Sequence, residues 1–175
     1  MIIAIIGEKL SGKDSAADYL VKNYGASEVR TSKILDELLQ VLGLPISRQN
    51  EIEAGRGMEM VFGPRVIGEA VLKRVQSISG KIVVINGIRR KDQLENAKQL
   101  GAKILYITAP VELRHQRSLA RKEKNDDGEL TLQEFVEQDR QWIEIEIPAF
   151  GAQADFKIEN TGSLEDLYKQ LDRIF

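Results

Sequence analysis

The order of patterns along the chain predicts an α/β fold, a five-stranded parallel sheet with helices on both faces. Three observations carry the prediction. Short apolar runs alternate with amphipathic helical stretches along the whole chain. The run at 2–6 is apolar with strand character, and 81–85, Lys-Ile-Val-Val-Ile, is the clearest buried strand of the chain. A glycine-lysine turn joins the first run directly to a helix. The first strand, 2–6, meets Gly7, and its helix runs from about 13 to 23. A short second strand, 27–30, leads into a helix for which Thr31 or Ser32 is the expected N-cap. That helix carries Ile34, Leu35, Leu38, Leu39 and Val41 on one stripe and ends near Gly43. Residues 48–78 read as further helices, broken at Gly63-Pro64. After the strand at 81–85 come a helix over about 91–99, a strand at 103–108, and helical patterns at 110–122 and 131–146. A charged, glycine-containing loop separates the last two. A final strand, 155–158, precedes a helix with Leu164, Leu167, Leu171 and Ile174 on one face and Ser163 as its N-cap.

Composition narrows the function classes. With 175 residues and no repeat or linker, one domain over 1–175 is expected. Charged residues make up 30% and the formal net charge is −2, so no basic field calls for a nucleic-acid partner. There is no cysteine, which excludes disulfides and thiolate zinc sites. The apolar run at 2–6 is too short for a signal core or a membrane span, and a cytoplasmic location without membrane contact is expected. Monomer and homodimer both stay open.

The chemistry concentrates at Gly7-Glu8-Lys9-Leu10-Ser11-Gly12-Lys13-Asp14-Ser15. Strand, glycine-bounded loop and helix in that order are the context of a phosphate-binding P-loop. Its glycines let backbone N–H groups converge on phosphate oxygens, and the helix adds the positive end of its dipole. Lys13 reaches the β- and γ-phosphates of ATP. The residue after the lysine, normally Ser or Thr on Mg²⁺, is here Asp14, itself a good Mg²⁺ ligand, with Ser15 next. Farther on, Arg114, Arg117 and Arg121 crowd one helix, and the last two, spaced i, i+4, share a face. Two arginines aimed into a cleft neutralise charge on a transferring phosphoryl group, while a solvated charged face is the plainer reading.

These segments resemble the nucleoside monophosphate kinase group of P-loop kinases. The stretch Val84-Ile85-Asn86-Gly87-Ile88-Arg89-Arg90 and the run from Ala154 to Glu165 are also similar to dephospho-CoA-kinase-like proteins of archaea. The Gly-Lys-Asp-Ser form is similar to phage-type deoxynucleoside monophosphate kinases and to one class of phosphomevalonate kinase. The resemblance implies a P-loop kinase fold with a short lid at about 122–130 and an acceptor-binding helical segment at about 31–78. It implies that Asn86, where an aspartate is usual, faces Mg²⁺ with Asp14, and that Arg89 binds the acceptor. Arg117 and Arg121 would touch the donor and its phosphates, and Arg140, in the run with Phe135 and Asp139, is a further phosphate candidate. Asn160 to Gly162 would lie under the adenine. Donor binding thus involves Gly7, Ser11, Gly12, Lys13, Asp14, Ser15, Arg117, Arg121, Asn160 and Gly162.

The acceptor is read from what is missing. Phosphorylating a hydroxyl benefits from a carboxylate base, yet the residues after the second strand are Arg30-Thr31-Ser32-Lys33, with Asp36 about a turn later. A phosphorylated acceptor needs no base, only positioning, and Arg30, Arg48, Arg56 and Arg65 are candidates to hold it. Dephospho-CoA kinase, with Asp36 as base, and a non-catalytic ATP-binding module are the alternatives. Residues 123–134 approach a calcium loop, with oxygen ligands at Glu123, Asn125, Asp127 and Glu134 and a glycine at Gly128, but a solvated lid explains them as well. His115 and Trp142 read as surface and packing residues.

Overall fold

The computed structural model describes residues 1–120, 130–140 and 145–175, the side chain of Gln138 excepted. Arg121, Trp142 and residues 122–129 of the expected lid, with most of the calcium-type loop, lie outside the described residues.

The elements are β1 (Ile2–Ile6), α1 (Lys13–Tyr24), β2 (Ser27–Arg30), α2 (Thr31–Val41), α3 (Arg48–Phe62), α4 (Val66–Gln76), β3 (Val83–Asn86), α5 (Lys91–Gln99), β4 (Lys103–Thr108), α6 (Val111–Ala120), α7 (Leu132–Asp139), α8 (Ile147–Gly151), β5 (Phe156–Glu159) and α9 (Leu164–Leu171). The five strands form one parallel sheet in the order β2-β3-β1-β4-β5. Strand β1 is central, and every residue from Ile3 to Ile6 is buried. Successive side chains of a strand point to opposite faces, so β1 feeds two cores. Ile3 and Ile5 pack with Ala16, Ala17 and Leu20 of α1 and Leu167 and Leu171 of α9. Ala4 and Ile6 pack on the other side with Val71 and Val75 of α4, Leu94 of α5 and Ile147 and Phe150 of α8. Each fully buried aliphatic side chain contributes about 1.5–3 kcal/mol.

The connection leaving β1 runs toward β2, whereas that leaving its neighbour β4 runs toward β5. Chain paths diverge there, and a crevice opens at the carboxyl ends of the strands. Helices α2, α3 and α4 pack on one another to one side of it, as Leu35 against Gly55 shows.

Two local expectations need correction. Neither Thr31 nor Ser32 caps α2: the helix begins at Thr31 itself, Arg30 is the extended N-cap, and no side-chain cap bond forms. Arg30 still pairs with Asn86 of β3, so strand passes into helix with no residue left over for a cap. The helical pattern expected to 146 ends in α7 at Asp139, and a separate α8 follows with Pro148 in its first turn. Proline has no N–H to donate and fits there, where that group would lack an intrahelical partner. At α9 the expected cap is present: Ser163 accepts from the Asp166 N–H and Asp166 returns a bond, a reciprocal capping box.

Candidate active site

The loop between β1 and α1 is held open by its neighbours. Four consecutive carbonyls are each bound by a side chain, Glu8 by Lys13 Nζ (2.7 Å), Lys9 by Arg114 Nη1 (3.2 Å), Leu10 by Arg117 Nη1 (3.3 Å) and Ser11 by Asn160 Nδ2 (2.9 Å). With its acceptors tied back in this way, the loop keeps a fixed curl around its N–H groups, the geometry of an anion nest. The two glycines are required by space. A side chain at Gly7 (φ 155°) would meet the Ile107 carbonyl at 2.0 Å, and one at Gly12 (φ 106°) would meet Asn160 Nδ2 at 2.2 Å. Leu10 sits at φ 62°, a left-handed conformation that non-glycine residues adopt only where the surroundings impose it. Ser11 is wholly buried and its Oγ has no hydrogen-bond partner among the described residues.

The anchors have their own supports. Arg114 is 5% exposed and also donates to the Ala109 carbonyl and, through both Nη atoms, to Asp139. Phe135 lies beneath its guanidinium. Phe135 and Asp139, which the sequence grouped with Arg140, therefore serve the loop from behind. Arg140 itself is exposed at the end of α7. Glu8, the second loop residue, is tied to β4, since Tyr106 Oη donates to its Oε1. Burial and then the Glu8 carboxylate push the Tyr106 phenol up to about 12. His115 is not a free surface residue: its Nε2 meets the Leu130 carbonyl at 2.6 Å and its ring tilts on Phe135. Glu134, twelfth in the calcium-type loop, accepts from both the N–H and Oγ1 of Thr131 at 2.8 Å and so starts α7.

In front of the loop lies a cleft of about 420 Å³ lined by Leu10, Lys13, Asp14, Ser15, Arg117 and the 162–164 segment, among others. That volume is in the range of small-molecule sites. Lys13, 7% exposed, sits at its base. Arg117 spans two of its walls, because its Nη2 also donates to the Asn160 carbonyl at 2.9 Å. Burial pushes the Arg117 guanidinium down from its ordinary value. Asn160 contributes a buried side chain as well as backbone, and Gly162 lies at the rim beside Asp166. Arg89 follows β3, its N–H held by Gln93 Oε1 at 3.0 Å.

Behind Asp14 the tertiary structure adds a residue the sequence reading passed over. Asn86 Nδ2 donates to Asp14 Oδ1 (3.0 Å) and to Glu28 Oε1 (2.8 Å). Arg30 Nη2 lies 3.1 Å from that Glu28 oxygen and 3.6 Å from that Asp14 oxygen. Burial opposes the charge on Arg30, but Asp14 and Glu28 outweigh it and hold the guanidinium above its ordinary value. The available signal was the alternation of β2, which puts residues 28 and 30 on one face, with Asn86 the register partner of Arg30. Arg30 is thereby committed to carboxylates. Of the other arginines considered for an acceptor, Arg56 is exposed and Arg65 pairs with Glu69 on its own helix. Among the described residues no three Asp, Glu, His or Cys side chains gather as a metal cage.

Comparison with known proteins adds the following. No protein-family model matches the chain. A UPF0200/UPF0201 protein of Archaeoglobus fulgidus is 27% identical over 178 residues, which take in 99% of this chain and 54% of that protein. The chain thus spans about half the length of that relative. A UPF0200 protein of Saccharolobus islandicus is 24% identical over 176 residues, 99% of this chain and 91% of that protein. Among solved structures, shikimate kinase from Bacteroides thetaiotaomicron superposes with a TM-score of 0.70 at 12% identity, covering 99% of this chain and 96% of that one. Shikimate kinase from Acinetobacter baumannii in complex with shikimate gives 0.60 at 20% identity, covering 99% and 91%. The chain has the P-loop kinase fold. In that fold the loop after β1 and the carboxyl ends of the strands described above stand together. Among the described residues no helix is long and apolar enough to cross a membrane.

Proposed function

We infer that the chain is an Mg²⁺-ATP-dependent kinase of the nucleoside monophosphate kinase type, one domain over 1–175 that transfers the γ-phosphoryl group to a phosphorylated small molecule such as a nucleoside monophosphate. The observation that carries the reading is the loop whose carbonyls are tied back around Lys13 at the base of the cleft. The loop N–H groups from Gly7 to Ser15 and Lys13 hold the donor phosphates, and the 160–162 backbone lies along the nucleoside. Asp14 and Asn86 are oxygen-bearing side chains of the kind Mg²⁺ takes; Asn86 turns its Nδ2 to Asp14, and its buried Oδ1 has no hydrogen-bond partner among the described residues. When bound, the metal supplies Lewis-acid neutralisation of phosphate charge. Arg117, with Arg121 and Arg89, balances charge as it develops, and a lid at about 122–130 excludes water. The segment at about 31–78 receives the acceptor.

A second reading rests on Asp36, whose Oδ1 is buried without a hydrogen-bond partner among the described residues. As a base it would serve a hydroxyl acceptor, the dephospho-CoA kinase reading. ADP release with Mg²⁺-ATP against nucleoside monophosphates, phosphomevalonate and dephospho-CoA tests both. Turnover with one phosphorylated acceptor supports the first reading, and turnover with dephospho-CoA alone supports the second. Silence across the panel with ATP still bound would mean a binding module. Lys13→Ala is expected to lose ATP binding, read by calorimetry, and phosphotransfer by at least about 100-fold, because the buried cation at the phosphates is gone.

A further inference from the structure

Helix α3 is thinly supported within one chain. None of its residues is fully buried, although helices of this length draw most of their stability from tertiary packing. Gly55 and Gly57 lie in its interior, and space requires neither of them. A side-chain carbon at Gly57 would meet nothing within 4 Å, and one at Gly55 only Leu35 at 3.6 Å. Apolar side chains crowd the outside of the same region. Seven of the fourteen large apolar residues exposed among the described residues fall between Val41 and Phe62, and they form a group at each end of α3. Val41, Leu42, Leu44 and Ile46 come before it, and Asn50 Nδ2 fastens their connection to the first turn of α3 through the Pro45 carbonyl (2.7 Å). Met60, Val61 and Phe62 end the helix, with Met60 at 82% exposure. Together the seven expose on the order of 800 Å², what each partner of a standard-size complex covers.

The stripe that joins the two groups is self-complementary. Gln49, Glu53, Arg56 and Met60 follow one another at helical spacing, and all four are exposed. Residues 49 and 60, and likewise 53 and 56, lie at equal steps either side of a midpoint between 54 and 55. A two-fold axis at that midpoint, with a second α3 antiparallel to the first, sets Glu53 opposite Arg56 of the second copy and Arg56 opposite its Glu53. The same axis brings the apolar start of each helix to the apolar end of the other. Opposed charges in register are the complementarity that fixes partner and orientation. Another side of α3 is already occupied within the chain, by Leu35 at Gly55 and by Arg90, whose Nη1 donates to Glu59 at 2.8 Å. We propose that the chain is a homodimer paired through α3, with two Glu53–Arg56 ion pairs at the centre and an apolar contact at each end. The pairing gives α3 the packing that one chain does not supply, and it is independent of what the cleft binds.

Sedimentation equilibrium of the full chain without nucleotide tests the pairing. Wild type is expected at twice the mass of one chain, with a dissociation constant in the micromolar range or below. Met60→Glu should raise that constant at least about tenfold, because a charge enters the apolar contact. Glu53→Arg and Arg56→Glu each set like charges opposite one another and should each raise it about tenfold. The double variant Glu53→Arg/Arg56→Glu restores opposite charges and should return to within about threefold of wild type. Thermal unfolding of each variant confirms folding. A chain that stays monomeric at tens of micromolar overturns the proposal, and if that monomer floats with phosphatidylcholine vesicles the face belongs to a membrane instead. A dimer indifferent to Met60→Glu, or a double variant no tighter than its singles, overturns it as well. Silence in ADP release would remove the kinase reading and leave the dimer standing.

Discussion

At Gly12 a single added carbon would lie 2.2 Å from Asn160 Nδ2, on a backbone at φ 106° that side chains rarely adopt. Asn160 cannot withdraw cheaply, because the same Nδ2 holds the Ser11 carbonyl at 2.9 Å. Gly12→Ala is therefore expected to lower unfolding free energy by about 2 kcal/mol in urea titration and to abolish ATP binding. In an Asn160→Ala background the extra loss on adding Gly12→Ala should shrink, because the clash is gone and only the backbone strain remains. Equal losses in both backgrounds would deny the close approach its role. At this scale the sequence was informative where one residue type has one physical use. Gly7, Gly12 and Lys13 in fixed spacing stated the loop. Glu28 was silent, because a carboxylate in a strand has no meaning until its neighbours are known.

At the scale of elements, the phosphate loop depends on α7, a helix that supplies none of the cleft-lining residues named above. Helix α7 brings Asp139 to Arg114 of α6, and Arg114 holds the Lys9 carbonyl. The Arg114 side chain is 6% exposed and that of Asp139 22%, so removing one partner leaves a nearly buried charge. Asp139→Ala is expected to cost about 3 kcal/mol in urea unfolding. It should also weaken ATP binding, because Asp139 supports the loop through Arg114. A loss of stability with ATP affinity intact would reduce the pair to a structural one. Element boundaries were read well wherever glycine, proline or a capping serine punctuated the pattern, as at Gly63-Pro64 and Ser163. They were read less well at Thr31 and beyond Asp139, where a strand ran straight into a helix and where one helical period continued across a break.

For the molecule as a whole, alkaline stability is set by tyrosines on two faces. The Tyr106 phenol is pushed up to about 12 by burial and by Glu8. On the α1–α9 face, hydrogen bonding to Asp172 and then burial push Tyr19 up to about 12 and raise Tyr24 as well. The unfolded chain loses these protons near the ordinary value of 10.0 while the folded chain keeps them. Between those values the folded state binds more protons, so stability is full below about pH 10 and falls as pH rises through about 12. The urea midpoint should decline over that interval, and Tyr106→Phe should flatten part of the decline, leaving the share of Tyr19 and Tyr24. An unchanged slope in Tyr106→Phe would show that the phenol titrates in the folded state as it does in the unfolded one.

Legible in the sequence alone were the α/β class, the five strands in order, the helices apart from α8, and the P-loop. All of these are properties of local pattern, since period, glycine spacing and apolar runs act over a few neighbouring residues. Only the tertiary structure decided that Glu28 and Arg30 meet Asp14 at Asn86, that Arg114, Arg117 and Asn160 tie back the loop carbonyls, and that Tyr106 reaches Glu8. Those contacts join residues from 16 to 149 positions apart by numbering, as between Arg30 and Asp14 and between Asn160 and Ser11. Their partners are chosen by sheet order and register, which no local pattern carries, because parallel neighbours are brought together by crossovers and not by adjacency in the chain.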